Sequence, residues 1–229
     1  MMNWTRAIFL EVFAIVHAVA ARLIPCPATT LRSGNGQPLL LVHGYCNNAW
    51  VWVFLKRKLA RAGLGPIYLI NLGYPFRSLH TYAQRVEAKA DEIARETGKR
   101  DLTLVGHSMG GLVAALYALR TDRVCDVVMI ASPIEGTPLA SFAPGPNARE
   151  MQKGSPLLKE LGEQMDASDI RFHQIATHCD QLVIPGISAG RKVPVERRLI
   201  LNNVGHAGLL FSPRVARYLI AALSPSTVI

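Results

Sequence analysis

Short, mainly apolar runs alternate along the chain with longer stretches in which apolar residues recur every three or four positions. The clearest apolar runs are 39–42, 67–72, 102–105 and 127–131. A run of this length without polar alternation is typical of a strand buried on both faces. The periodic stretches between the runs predict helices near 47–63, 78–97 and 110–120.

Two further predicted strands, 170–175 and 199–202, and a last helix over 213–223 continue this alternation. Strands that alternate with helices imply right-handed crossovers and a parallel sheet covered on both sides. The predicted fold class is therefore α/β, with a doubly wound, mostly parallel sheet in one domain over 29–229. A Gly- and Pro-rich stretch that turns helical predicts a small helical cover at about 134–170.

Composition supports a compact globular domain and narrows its partners. Half of the 229 residues are hydrophobic and only 18% are charged, which excludes a disordered chain. The formal charge is +9, but the basic residues are scattered and form no nucleic-acid-binding motif. No nucleic acid partner is expected, whereas attraction to an anionic membrane surface stays open.

The segment 1–28 allows three interpretations. Residues 7–21 are mostly apolar, and a small-residue site near Ala20 is compatible with a cleaved signal peptide. Glu11 and Arg22 fall on one face of a helix whose other face is apolar, which favours a retained amphipathic helix. A membrane-spanning anchor is the third, although the stretch is shorter than ~20 apolar residues. A membrane-associated, envelope or secreted location is favoured over a purely cytoplasmic one.

The cysteines give no sign of a metal centre. They are far apart and form no CxxC pair: Cys26, Cys46, Cys125 and Cys179. We expect no metal and no cofactor, and free thiols are favoured, although two disulfides remain open.

The sequence Gly106-His107-Ser108-Met109-Gly110 follows a predicted buried strand and opens a predicted helix. In this setting a G-x-S-x-G sequence forms a tight turn that presents the serine hydroxyl at the edge of the sheet. Gly106 and Gly110 would relieve the crowding of the turn. The helix that follows favours developing negative charge at its N-terminus. Ser108 is therefore the predicted nucleophile.

A serine nucleophile needs a base that accepts its proton and an acid that orients the base. His206 lies in a glycine-bearing loop before the last helix and is the predicted base, because His173 falls inside a strand and His178 lies close to the acid's loop. Asp180 follows a strand and is the predicted acid. Asp166 and Asp169 are weaker candidates, since they precede that strand.

His43-Gly44-Tyr45 follows the first apolar run. The backbone N–H groups of Tyr45 and Met109 are predicted to form an oxyanion hole. We expect His43, and His107 next to the serine, to support the site. The His43 ring is predicted to brace the oxyanion loop by hydrogen bonding.

These residues resemble the α/β-hydrolases, and within them small bacterial lipases and esterases of the triacylglycerol-lipase type. The resemblance extends over about 38–223 and implies a Ser108, Asp180 and His206 triad with Tyr45 and Met109 as oxyanion donors. The predicted cover is shorter than the lids of larger lipases, and no calcium-site pattern is present.

The resulting functional hypothesis is a serine hydrolase that cleaves carboxylic esters, with a small acyl ester or a lipid as substrate. One alternative is an acyltransferase or thioesterase that uses the same triad. A second alternative, from another class, is a non-catalytic binding module, which would require a broken triad. All three triad positions are occupied by the required residue types.

Overall fold

A computed structural model describes residues 34–190 and 193–224. The segment 1–28, for which the sequence leaves three interpretations, lies outside these residues. The strands are β1 Leu39–Val42, β2 Ile67–Ile70, β3 Leu102–His107, β4 Val124–Ile130, β5 Arg171–Thr177 and β6 Arg198–Leu201. The α-helices are α1 Val53–Arg61, α2 Leu79–Thr97, α3 Met109–Ala118, α4 Pro146–Glu150, α5 Pro156–Asp166 and α6 Pro213–Leu223.

The strands form one parallel sheet in the order β2-β1-β3-β4-β5-β6. Strand β3, which the predicted nucleophile Ser108 follows, is therefore central. Because all six strands run in the same direction, every loop that follows a strand lies at one edge of the sheet, which we call the carboxyl edge. The predicted fold class is confirmed, and the sheet is wholly parallel within the described residues.

In the central strands, alternate side chains enter two cores on opposite faces of the sheet. In β1, Leu40 and Val42 pack on one face under α2, α3 and α5, whereas Leu39 and Leu41 pack on the other under α1 and α6. Helix α3 is buried along its whole length, so its sequence is apolar on every side. This packing fixes the start of α3, and with it Ser108, relative to the sheet.

The predicted cover over 134–170 divides into two parts. A 3₁₀ turn at Pro138–Phe142 and the short helix α4 lie in the loop that follows β4. Helix α5, in contrast, packs its buried Leu158, Leu161 and Met165 into the core on one face of the sheet. Since α5 is the crossover helix between β4 and β5, only the first part of the predicted cover lies at the carboxyl edge.

Candidate active site

Ser108 occupies a sharp turn between β3 and α3. Its backbone has φ 55° and ψ −127°, a conformation that costs a non-glycine residue roughly 1–3 kcal/mol. The turn is held by the Ser108 N–H, which donates to the Ile130 carbonyl of the neighbouring strand at 2.8 Å. The hydroxyl-bearing residue is thus lifted to the carboxyl edge at the N-terminus of a buried helix.

The two glycines around Ser108 are required by close backbone contacts. A Cβ on Gly106 would overlap the Gly110 carbonyl oxygen and the Gly111 backbone, across the turn. A Cβ on Gly110 would overlap the Val42 carbonyl oxygen of β1. The spacing of the motif therefore follows from the tightness of the turn and from the approach of α3 to the sheet.

Asp180 and His206 meet at the same edge, on the loops that follow β5 and β6. His206 Nδ1 lies 3.0 Å from Asp180 Oδ1 and 2.9 Å from Oδ2. The Asp180 side chain is fully buried and the His206 side chain is 4% exposed. Such burial strengthens a charged hydrogen bond because water does not compete for it.

The orientation of the Asp180 carboxylate is fixed by its own loop. The backbone N–H groups of Leu182 and Val183 both donate to Oδ1, at 2.9 and 2.8 Å. Gln181, in the same loop, accepts a hydrogen bond from the His206 backbone N–H at 3.3 Å. The loop that follows β5 therefore holds both the side chain and the main chain of His206.

Two further contacts join the β5 loop to the segment that carries His206. The Thr177 hydroxyl donates to the Val204 carbonyl at 2.6 Å, and the Cys179 thiol donates to the Asn202 carbonyl at 3.1 Å. These residues have no signature in the sequence, because small polar residues are common after any strand. Sequence reasoning therefore missed both of them.

His43 lies buried below the turn after β1. Its Nε2 accepts a hydrogen bond from the Leu72 N–H at 3.0 Å, so the proton is on Nδ1, which donates to the Gly44 carbonyl at 2.9 Å. Burial lowers the pKa of His43 to about 4, although the Gly44 carbonyl opposes this shift. A neutral ring with both nitrogens engaged ties the β1 loop to the β2 loop.

Gly44 lies directly against the Ser108 turn. A Cβ on Gly44 would be 3.0 Å from the Ser108 Cβ and 3.1 Å from the His107 carbonyl oxygen. The backbone φ of Gly44 is not positive, so close approach rather than an unusual turn accounts for glycine here. The hydroxyl of the next residue, Tyr45, donates to the Pro144 carbonyl at 2.7 Å.

Met109 is the first residue of α3, and its side chain is buried. Its sulfur lies 3.3 Å from the Asn147 amide nitrogen, which also donates to the Pro75 carbonyl at 2.9 Å. Asn147 is fully buried in α4. It joins the loops after β2 and β4 to the start of α3, a role that the sequence did not reveal.

His107 contacts the predicted base directly. The two rings are tilted, with centroids 4.8 Å apart, and His107 Nε2 donates to the His206 carbonyl at 3.3 Å. Burial, followed by the positive charge that His206 can carry, lowers the pKa of His107 well below its ordinary value. His107 is therefore a neutral ring packed against His206.

The remaining histidine and aspartate candidates lie elsewhere. His173 lies within β5, and the His178 side chain is exposed to solvent. Asp166 ends α5 and Asp169 precedes β5, which places both toward the opposite edge of the sheet. Among the described residues, Cys46, Cys125 and Cys179 are free thiols.

A family model supports the same interpretation of the sheet and the turn. The model of the alpha/beta hydrolase family matches residues 39–177. The chain belongs to the alpha/beta hydrolase family. The match ends before Asp180 and His206, so the positions of these two residues in the α/β-hydrolase rest on the geometry described above.

Curated relatives and solved structures resemble parts of this α/β-hydrolase. A pimeloyl-[acyl-carrier protein] methyl ester esterase from Vibrio atlanticus is 37% identical over 101 residues, which cover 44% of this chain and 38% of the relative. A "probable alcohol acetyltransferase" from Saccharomyces cerevisiae is 26% identical over 117 residues, covering 46% and 33%. The structure of the mature Bacillus licheniformis lipase BlEst2 superposes with a TM-score of 0.69 at 17% identity, covering 87% and 94%.

The chain thus spans less than half the length of these two curated relatives. The likeness to the lipase structure concerns the fold. Across 34–190 and 193–224, no helix combines the length and the hydropathy needed to cross a bilayer. In the same residues no group of three His, Cys, Asp or Glu side chains is arranged to hold a metal ion.

Proposed function

We propose that this α/β-hydrolase cleaves carboxylic esters, with Ser108 as nucleophile, His206 as general base and Asp180 as the acid that orients the base. The observation that carries the proposal is the buried hydrogen bond between His206 Nδ1 and Asp180, at 2.9 Å from Oδ2, at the edge where the strained Ser108 turn ends. Nucleophile, acid and base follow one another along the chain in the order known for this fold.

The Asp180 carboxylate selects the reactive form of the histidine. A carboxylate only accepts hydrogen bonds, so neutral His206 carries its proton on Nδ1 and presents an unprotonated Nε2. In the proposed reaction, Nε2 takes the hydroxyl proton as Ser108 attacks the ester carbonyl carbon. The same proton then passes to the leaving alcohol, and a second cycle with water releases the acid.

The negative charge on the carbonyl oxygen needs donors that are already in place. We infer that the backbone N–H of Met109, at the N-terminus of α3, is one donor and that the N–H of Tyr45 is the other. A Cβ placed on Gly44 would be only 3.0 Å from the Ser108 Cβ, so the backbone just before Tyr45 lies close to Ser108. This close approach supports the Tyr45 N–H as the second donor. The neutral His43 ring would keep that loop in position.

His107 is proposed as a positioning residue for the base. Its Nε2–H bonds to the His206 carbonyl, and its ring packs on the imidazole. Because burial keeps His107 neutral, it adds no positive charge beside His206 at the moment when the imidazolium forms.

For the substrate we propose small acyl esters or lipid esters. This proposal is supported by the names of the Vibrio relative and of the Bacillus lipase structure, a methyl ester esterase and a lipase. Large apolar side chains around the carboxyl edge, such as Phe142, fit an acyl group better than a charged one. Neither argument sets the length of the acyl chain of the substrate.

The test is a panel of p-nitrophenyl esters from acetyl to palmitoyl, with a fluorophosphonate probe mapped to the residue that it labels. The intact protein should hydrolyse at least one ester and be labelled on Ser108. Ser108→Ala should abolish labelling and lower hydrolysis by at least ~10³-fold, because only the nucleophile is removed. Labelling that persists in Ser108→Ala, at another serine, would refute the assignment.

Acyl transfer to an alcohol is a second candidate, which the name of the yeast relative favours. The same acyl-enzyme would then react with an alcohol in place of water. Product analysis with ethanol present separates the two activities: a hydrolase releases mainly the free acid, whereas an acyltransferase forms mainly the ethyl ester.

A further inference from the structure

Large apolar side chains that are exposed to solvent are concentrated at one end of the molecule. Of the six in the described residues, five follow strands at the carboxyl edge: Tyr74, Leu139, Phe142, Leu182 and Ile184. We call these five the apolar rim. The sixth, Val195, lies just before β6 and therefore toward the opposite edge.

The apolar rim is one surface built from three loops. Tyr74 follows β2, Leu139 and Phe142 follow β4, and Leu182 and Ile184 follow β5. The Thr137 hydroxyl donates to the Leu182 carbonyl at 2.6 Å and joins the last two loops. Asn147, in the second loop, bonds to the Pro75 carbonyl beside Tyr74. Ser108 directly follows β3, which lies between β2 and β4 in the sheet order, so loops that carry the rim lie on both sides of Ser108.

Positively charged side chains lie beside the apolar rim. The Arg77 guanidinium lies over the Tyr74 ring, 5.5 Å from its centroid. Arg85 packs against Gly73, next to Tyr74, and Arg149 is exposed on α4. The nearby Glu150 carboxylate accepts a hydrogen bond from the Leu79 N–H at the start of α2, at 2.7 Å. Exposed arginines therefore flank the apolar rim.

We propose that the apolar rim, together with Arg77 and Arg149, is a docking face for an anionic lipid surface. Phe142 and Tyr74 enter the boundary between headgroups and acyl chains, and the two arginines contact the acidic headgroups. Docking in this orientation turns the Ser108 end of the sheet toward the lipid. That this lipid supplies the ester rests on the proposed function, but the docking itself does not.

The chemistry of the face favours a lipid surface over a protein partner. A face that combines exposed apolar groups, a tyrosine and flanking arginines is typical of interfacial membrane contact. Phe142 is 86% exposed. Leaving such a side chain in water is unfavourable, and inserting it into an interface removes that cost without a shape-complementary pocket.

The first experiment measures co-sedimentation of the intact chain with vesicles of phosphatidylcholine and phosphatidylglycerol. All variants carry Ser108→Ala, so that no lipid is hydrolysed. Phe142→Ser should reduce the partition coefficient by about ten-fold, since one large apolar group no longer enters the interface. Val195→Ser is the matched control, because Val195 is 73% exposed at the other edge, and its partition should stay within about two-fold of the parent.

The second experiment separates the contribution of charge. The double variant Arg77→Gln, Arg149→Gln should lose about five-fold in partition for each charge removed on anionic vesicles, and much less on pure phosphatidylcholine. The matched control, Arg61→Gln with Arg95→Gln, changes net charge equally. Arg61 and Arg95 lie in the last turns of α1 and α2, away from the rim.

Several results would overturn the docking face. Equal losses in the arginine variant and in its control would assign binding to net charge alone, and equal losses in Phe142→Ser and Val195→Ser would show that the rim has no special part in binding. Undiminished binding in all variants would assign it to another part of the chain, such as 1–33. No binding by the Ser108→Ala parent would refute docking while leaving ester hydrolysis, judged by the soluble panel, untouched. Thermal unfolding of each variant verifies that its fold is retained.

Discussion

Two histidine–aspartate neighbours occur among the residues that the structure describes, and their surroundings differ. His206 and Asp180 lie on loops at the carboxyl edge and share a hydrogen bond of 2.9 to 3.0 Å. His173 and Asp126 lie within β5 and β4, and their closest approach is 3.7 Å. All four side chains are largely buried.

The partners of each aspartate explain the difference. Asp180 Oδ1 is held by two backbone N–H groups, which orient the carboxylate toward His206. Asp126 instead forms an ion pair with Arg171. The Nε and Nη2 groups of Arg171 donate to the two carboxylate oxygens of Asp126, at 2.8 and 2.6 Å. His173 uses Nδ1 for the Tyr218 hydroxyl at 3.1 Å, which joins β5 to α6. Proximity of a histidine and an aspartate is therefore not sufficient for a catalytic pair.

The largest expected effect is on the two aspartates. Asp180→Asn should lower kcat for ester hydrolysis by about 10³-fold or more, because an amide does not hold the tautomer or stabilise the imidazolium. Asp126→Asn should keep kcat within about three-fold but lower the free energy of unfolding by about 1–3 kcal/mol, because Arg171 loses a charged partner and one of its two acceptor oxygens. Ester kinetics and urea unfolding of both variants test the contrast, and reversed effects would contradict it.

The stability loss in Asp126→Asn should also depend on pH. Burial alone would raise the pKa of Asp126, but His173 and Arg171 outweigh it and hold the pKa below the ordinary value. The stabilisation is thus present above the ordinary carboxyl pKa and is lost as the pH falls through the lowered folded value. The difference between variant and wild type should therefore narrow below about pH 4.

The next effect concerns His43, which is held neutral by burial. Its pKa is about 4 in the folded protein, against 6.5 for an exposed histidine. As the pH falls from 6.5 to 4, the unfolded chain takes up this proton and the folded protein does not, which destabilises the fold by on the order of 3 kcal/mol. His43→Gln should remove this part of the acid destabilisation.

The measurement is the free energy of unfolding of wild type and His43→Gln between pH 7 and pH 4. His178→Gln serves as a control, because His178 is exposed and should leave the slope unchanged. A wild-type slope equal to that of His43→Gln would show that His43 does not resist protonation.

The smallest effect is expected at His107, whose contact with His206 has no counterpart at His173. His107→Leu should lower kcat by about ten-fold with little change in KM, because the His206 carbonyl loses a donor and the base is less well oriented. His107→Gln, which retains a donor, should recover part of the loss. A rise in KM with kcat unchanged would instead place His107 in substrate binding.

Much of the fold could be predicted from periodicity. The run 39–42 and the helix 213–223 coincide with β1 and α6, because both end at clear polar or Pro boundaries. The helix after β1 was predicted from Asn47 or Asn48 onward, but a 3₁₀ turn at Ala49–Trp52 precedes α1. There the Asn48 side chain accepts from the Trp50 N–H, two residues ahead, which favours a tight turn.

The site was less accessible to sequence reasoning than the fold. Ser108, His206 and Asp180 could be selected because each follows a strand in a parallel sheet, and such positions converge. The residues that hold them could not, since Gln181 and Thr177 act through contacts that depend on how two loops pack. Likewise, the His43 tautomer is fixed by the backbone N–H of Leu72. Every residue except proline supplies a backbone N–H, so the sequence does not identify this contact.

The complete burial of α3 has a consequence for how the molecule opens. Local fluctuations release segments that are exposed or weakly packed, whereas an element buried on all sides exchanges its amide hydrogens only when most of the domain opens. Ser108 begins such an element, but His206 lies on a loop between β6 and a 3₁₀ turn. Local opening of the protein would therefore separate His206 from Ser108 by movement of the His206 loop. Ser108 would keep its backbone conformation until global unfolding.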